Sequence, residues 1–136
     1  MTIMIDATAL LARYLDVPFR PVLVEAMAAD AEWCASATAL TEALMVVDRI
    51  GDDPERAAHL RACVRDDWEC IAVVPVDAAC LDRAAELGRQ YPLRTIDALV
   101  MAAADRLPRP LRFATLDPTH IPVALALGFE VLSPIA

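Results

Sequence analysis

The sequence contains no lysine: its 12 basic residues are all arginine, set against 20 acidic residues for a formal net charge of -8. Non-specific nucleic-acid affinity rests on neutralising phosphates with basic side chains, so a chain this acidic is a poor generic binder of DNA or RNA. Any nucleic-acid role needs a localised arginine patch or a bridging cation. The missing lysine also argues against a receiver-type phosphoacceptor domain, which sets a lysine against its phosphate. Phosphate-gripping loops fail for the same reason and for want of glycine, because the only three, Gly51, Gly88 and Gly128, are scattered. A dehalogenase-like phosphatase needs a second aspartate two residues after the first, where this chain has Thr8.

Other scarcities narrow the field further. The four cysteines, Cys34, Cys63, Cys70 and Cys80, form no CxxC pair, and only His59 and His120 are present to join them, so neither a zinc site nor a disulfide framework is expected. Buried free thiols are. Aromatic residues make up 5% of the chain and do not interleave with arginine, which leaves no visible base-stacking surface. No apolar run approaches the roughly 20 residues of a membrane span, and "MTIMID" lacks the basic region and long apolar core of a signal peptide. A cytoplasmic protein is expected, with one compact domain over 1–136: 58% hydrophobic residues are ample for a core.

What is present alternates. "TIMI" (2–5), "EWCASA" (32–37), "IAVVPV" (71–76), "LRFATL" (111–116) and "FEVL" (129–132) read as short strands. Between them lie helical stretches: "ATALLARYL", "RPVLVEAMAAD", "TALTEALMVVDRI" with Leu40, Leu44 and Val47 on one face, "DDPERAAHLRACVRDDW", "DAACLDRAAELGRQ" closing near Gly88, "TIDALVMAAADRL", and "PTHIPVALAL" interrupted by Pro122. "DDP" supplies an aspartate cap and a first-turn proline. Strands alternating with helices imply right-handed crossovers and an α/β fold, a three-layer α/β/α sandwich with a mainly parallel central sheet.

Sites in such sheets form at the carboxyl ends of the strands. Asp6 directly follows "TIMI" and Asp117 directly follows "LRFATL", so both could converge on one crevice. Each acid also has a plain structural explanation. Asp6 precedes a helix as an N-cap would, Asp117 before Pro118 has the cap-then-proline pattern, and Asp97 meets the positive end of its helix. Glu42 is harder to explain by packing, since it lies inside its helix beside the Leu40/Leu44 face. Gathered in one place, the four would repel unless they shared a cation or a proton, and hard oxygen ligands of this kind suit Mg²⁺ or Mn²⁺.

The ordered series "IMIDATALLARYL", "SATALTEALMVVDR", "IAVVPVDAACLDRAAEL", "LRTIDALVMAAA" and "FATLDPTH…ALGFEVL" resembles the PIN domain family, and within it the VapC-like toxins of bacterial toxin-antitoxin pairs. The likeness implies a ribonuclease whose Asp6, Glu42, Asp97 and Asp117 form a catalytic, metal-holding acidic site for Mg²⁺ or Mn²⁺. Thr115 matches the hydroxyl residue of the family's last motif and, with Arg94 and Arg13, is expected on the substrate side. Thr8 is either a supporting hydrogen-bond donor or a helix cap. Where many relatives carry a further acid, this chain has Pro118, Thr119 and His120; His120 is expected at the surface or internally satisfied rather than on a phosphate.

Partners follow from the same likeness: RNA as substrate, a second copy in a homodimer, and an antitoxin whose segment would lie on apolar residues of the first two helical stretches (Leu10, Leu11, Tyr14, Leu15, Val22, Leu23, Val24, Met27). An antitoxin arginine entering the acidic pocket would compete with the metal. The rival reading is a PIN-fold binding or scaffold module that no longer cleaves RNA, against which stands the presence of all four acids.

Overall fold

A computed structural model describes residues 1–134. In chain order the elements are β1 (Thr2–Ile5), α1 (Ala7–Ala12), α2 (Arg20–Ala29), β2 (Glu32–Ser36), α3 (Thr38–Ile50), α4 (Pro54–Trp68), β3 (Ala72–Val74), α5 (Ala78–Gln90), α6 (Thr95–Asp105), β4 (Leu111–Ala114), α7 (Ile121–Ala126) and β5 (Glu130–Leu132). The five strands form one sheet in the order β3-β2-β1-β4-β5, every neighbouring pair parallel. All-parallel sheets need both faces covered, and the side-chain alternation shows that they are. Ile3 and Ile5 of β1, Ala35 of β2 and Ala114 of β4 pack on one side with residues of α1, α2, α3 and α4. Met4, Cys34, Leu111 and Phe113 point the other way into a second core built with α5, α6 and α7.

Small residues bring the helices close. Ala102, Ala103 and Ala104 of α6 are fully buried, so this helix lies low on its face of the sheet. In α3 the inward line is Ala39, Ala43 and Val47, and Leu40 and Leu44, expected to share the buried face, flank it partly exposed. Of the cysteines, Cys34 and Cys80 are buried and Cys63 and Cys70 are not, and all four are free thiols.

The chain departs from its sequence pattern in places where local signals were read too strongly. Pro122 does not interrupt α7; it stands in the first turn, where its missing N–H costs no hydrogen bond. α5 runs through Gln90, where its sequence stretch ends, two residues past Gly88, with Tyr91 as its C-cap. The last strand-end acid is also less direct than expected, since β4 ends at Ala114 and a short loop carries Thr115, Leu116 and Asp117.

β1 lies at the centre of the sheet, with β2 and β3 on one side and β4 and β5 on the other. The direction of winding reverses between β1 and β4, whose last residues Ile5 and Ala114 are register partners. A crevice opens at the carboxyl ends of such a pair, because the following connections leave toward opposite faces.

A Cβ placed on Gly88 meets nothing within 4 Å, and the residue is exposed within a helix. Gly88→Ala is expected to raise stability by about 0.5–1 kcal/mol, read as a higher urea midpoint at unchanged slope.

Candidate active site

Asp6 leaves β1 and becomes the N-cap of α1, its Oδ1 accepting from the Ala9 amide at 2.9 Å. Oδ1 also accepts the Thr8 hydroxyl at 2.6 Å, and Thr8 Oγ1 in turn accepts the Leu116 amide at 2.9 Å, tying the loop after β4 to the start of α1. Thr8 is thus the supporting donor, while Asp6 does the capping. The other oxygen, Oδ2, accepts the Thr115 hydroxyl in a short hydrogen bond and faces Nδ1 of His120 at 2.9 Å. Four contacts fill the capacity of one carboxylate. Asp6 is 2% exposed.

His120 sits at the N-cap position of α7 and spans the crevice. Its Nε2 lies 2.8 Å from Oδ1 of Asp97 and 3.7 Å from Oδ2 of Asp117. Asp97 enters from the first turn of α6, where its second oxygen pairs with Nε of Arg94 at 3.0 Å. Asp117 caps the turn before α7 through the Thr119 amide and hydroxyl, and receives positional support because its own amide donates to Thr115 Oγ1. For Asp6 and Asp117 capping fixes one oxygen and leaves the other for the cluster, and for Asp97 the Arg94 guanidinium does the fixing.

Glu42 of α3 faces the same cluster from the opposite layer. Burial raises its pKa first, and the negative charges of Asp6 and Asp97 raise it further, against the opposing pull of His120 and Arg94. For Asp97 burial also acts upward, but hydrogen bonds and charge from His120 and Arg94 win and lower it. Burial works against a charged imidazole at His120; the hydrogen bond and charge of Asp6, then those of Asp97 and Asp117, reverse that and push it up to about 9. The site thus concentrates negative charge and holds one imidazolium at its centre.

Two expectations for the substrate side change. Thr115 is fully buried with its hydroxyl committed to Asp6 and to the Asp117 amide, an arrangement that positions the acids. Arg13 is engaged elsewhere, bonded to Asp67 at 2.8 Å with its guanidinium 4.9 Å from the Trp33 ring. Arg94 does stand at the rim: its side chain is 84% exposed even while it holds Asp97. His120 was expected to be satisfied or at the surface. It is satisfied, but by the site acids themselves; its spacing three residues after Asp117 was the only signal.

Asp97, Asp117 and His120 each offer one ligand atom, all within 4.8 Å of one another, a donor set that fits a divalent ion. Beside them a cleft of about 380 Å³ opens against Glu42, Arg94, Thr95 and Ile96. A second groove, of about 250 Å³, shares Glu42 and runs along Ala7, Thr8, Leu11, Leu15 and Val46.

The PIN domain family model matches residues 3–111. The chain belongs to the PIN domain family. The match covers β1 through the start of β4 and includes Asp6, Glu42 and Asp97, whereas Thr115, Asp117 and His120 lie beyond it and owe their place in the cluster to the geometry above. No curated protein sequence is matched by this chain. Solved structures with the same fold include FitAcB from Neisseria gonorrhoeae (16% identity, 98% of each chain covered, TM-score 0.74). A toxin-antitoxin complex from Klebsiella pneumoniae superposes with TM-score 0.71 at 15% identity over 96% of each chain. VapC20 from Mycobacterium tuberculosis, a toxin that cleaves the sarcin-ricin loop, does so with TM-score 0.68 at 16% identity, covering 89% of this chain and 94% of that one. At such identities the PIN chain shares their fold.

Replacing Thr115 by valine removes the donor to Asp6 and the acceptor for the Asp117 amide. Thr115→Val is expected to cost about 1–3 kcal/mol in urea unfolding, with Thr115→Ser close to the parent protein. The raised His120 pKa makes a second test. Its contribution to stability is complete below the unfolded value near 6.5 and is lost as pH rises through about 9. Protein kept in chelator should accordingly weaken between about pH 6.5 and 9, and His120→Gln should flatten that slope; an equally steep slope in the variant would mean that another group carries it.

Proposed function

We propose that this PIN domain protein is a metal-dependent endoribonuclease, the toxin of a toxin-antitoxin pair, working in the cytoplasm on RNA phosphodiesters with Mg²⁺ or Mn²⁺. The observation that carries the reading is the convergence of Asp6, Asp97 and Asp117 on His120, with Glu42 beside them, at the point where the sheet reverses its winding. An acidic chain without lysine needs a cation to approach a phosphodiester, and this is where the fold concentrates the charge that would hold one.

Asp97 and Asp117 would hold the ion, with Glu42 close enough to feel the same charges. When bound, the metal supplies a Lewis acid that lowers the pKa of a coordinated water and neutralises phosphoryl oxygens. The protein's own groups do the rest. Asp6 and Thr115 lock the loop after β4, so that Asp117 is presented at a fixed place. Arg94 keeps Asp97 oriented through Nε and has its remaining N–H groups at the mouth of the cleft, where they can grip a substrate phosphate. The scarcity of aromatic side chains leaves recognition to RNA shape and backbone.

The groove along Leu11, Leu15 and Val46 suits an apolar segment of an antitoxin, and its shared wall at Glu42 leads that segment to the acids. Of the apolar residues expected to form such a surface, Leu10, Leu11, Leu23 and Met27 are buried in the core, while Tyr14 and Leu15 are partly buried and Val22 and Val24 are exposed. The exposed pair on α2 is available to a second copy in a homodimer.

The reading is tested by incubating purified protein with total cellular RNA in Mn²⁺, and then with chelator. Discrete cleavage is expected, abolished by chelation and reduced about 100-fold or more in Asp97→Asn. Folded wild-type protein that leaves RNA intact, with growth unaffected on its induction, would favour the non-cleaving scaffold module.

A further inference from the structure

We propose that His120 is itself a metal ligand through Nε2, joining Asp97 and Asp117, and that Asp6 orients this imidazole through Nδ1. The inference rests on the metal-dependent reading above and adds a nitrogen to a site otherwise made of oxygens.

The argument begins with hydrogen positions. Asp6 Oδ2 can only accept when ionised, so Nδ1, 2.9 Å away, carries its hydrogen toward Asp6. That fixes the ring and turns Nε2 toward two more carboxylates, at 2.8 Å from Asp97 and 3.7 Å from Asp117. A bare lone pair facing two anionic oxygens would be repelled, so positive charge must occupy the gap. A divalent ion held between Nε2 and the two carboxylates supplies that charge.

Distances agree with this placement. Ligand atoms about 2.1 Å from one ion stand about 3.0 Å apart on neighbouring octahedral corners and about 3.4 Å apart on tetrahedral ones. The two Nε2 separations bracket those values, so only small side-chain adjustments are needed. Asp6 is differently placed. Its four acceptor contacts are with Ala9, Thr8, Thr115 and His120, so the oxygen that meets Nδ1 is itself held by the loop after β4 through Thr115. A carboxylate on the far nitrogen of a ligating histidine fixes the tautomer and raises the basicity of the ring.

Chemical selectivity follows. Oxygen-only sites suit Mg²⁺ and Mn²⁺, whereas an imidazole shifts preference toward transition ions, with affinity rising from Mn²⁺ to Co²⁺. This chain should favour Mn²⁺ and Co²⁺ over Mg²⁺ more strongly than its carboxylates alone would, and His120→Gln should reduce that preference about tenfold or more while leaving Mg²⁺ affinity less affected.

The experiment is pulsed electron paramagnetic resonance on untagged full-length protein loaded with one equivalent of Mn²⁺, with ¹⁴N modulation as the readout. His59, exposed on α4 and 3.6 Å from the Cys63 sulfur, is the other imidazole able to give such a signal, so His59→Gln is measured in parallel. Directly bound imidazole nitrogen is expected in wild type and in His59→Gln, and its loss in His120→Gln that still binds Mn²⁺. Bound Mn²⁺ with no nitrogen coupling in wild type overturns the ligand assignment and leaves the metal-dependent nuclease standing. Coupling that persists in folded His120→Gln also overturns it. Folded wild-type protein that takes up no Mn²⁺ overturns both.

Discussion

Three buried or half-buried carboxylates and one imidazole cannot be brought together cheaply, and the terms on which this fold does so govern the rest of the molecule. Asp6 pulls in an amide, two hydroxyls and a ring nitrogen. Every one of those partners is itself fixed by something else: Ala9 by α1, Thr8 and Thr115 by the amides of Leu116 and Asp117, His120 by Asp97. The network reaches across the reversal point of the sheet and draws on both helical layers. Removing a single member leaves a buried charge or dipole without compensation, which is costlier than the bond is worth when intact.

Around that network the fold divides its labour. The sheet and its two alanine-lined helical faces are apolar and closely packed, and carry the stability. Acids that would weaken a core are confined to the edge of the crevice, where helix N-termini and Arg94 offset part of their charge. The offset is incomplete. Glu42 keeps a raised pKa because burial, and after it repulsion from Asp6 and Asp97, outlast the attraction of His120 and Arg94. Burial and residual repulsion of this kind are a stability cost carried by the crevice.

The fold was largely readable before any coordinates. Alternation of short apolar runs with amphipathic stretches marked all five strands and seven helices, because a parallel sheet leaves no other way to bury them. Local punctuation misled at Pro122: proline has a strong average meaning, yet in the first turn of a helix it costs nothing. At the site, Asp6, Asp97 and Asp117 were legible as strand-end and helix-start residues, because the fold class itself says where crevices form, and the grouping with mid-helix Glu42 came through the family resemblance. The roles of Thr115, Arg13 and His120 were not. A buried hydroxyl, an ion pair with Asp67 and an imidazole between two carboxylates are all made by residues far apart in the chain, and no local pattern records such contacts.

The sequence distances within the site carry one more implication. Asp6 meets Thr115 across 109 positions and His120 across 114, and β4, which places both, is the next-to-last strand. While the chain is being synthesised, β1 waits through four helices, two strands and then α5 and α6 for its second neighbour. No partial chain that lacks β4 and the loop after it can hold a complete crevice; the acids at its beginning remain scattered until Asp117 and His120 have been made. The crevice is thus a late product of synthesis, closed by the segment that follows β4.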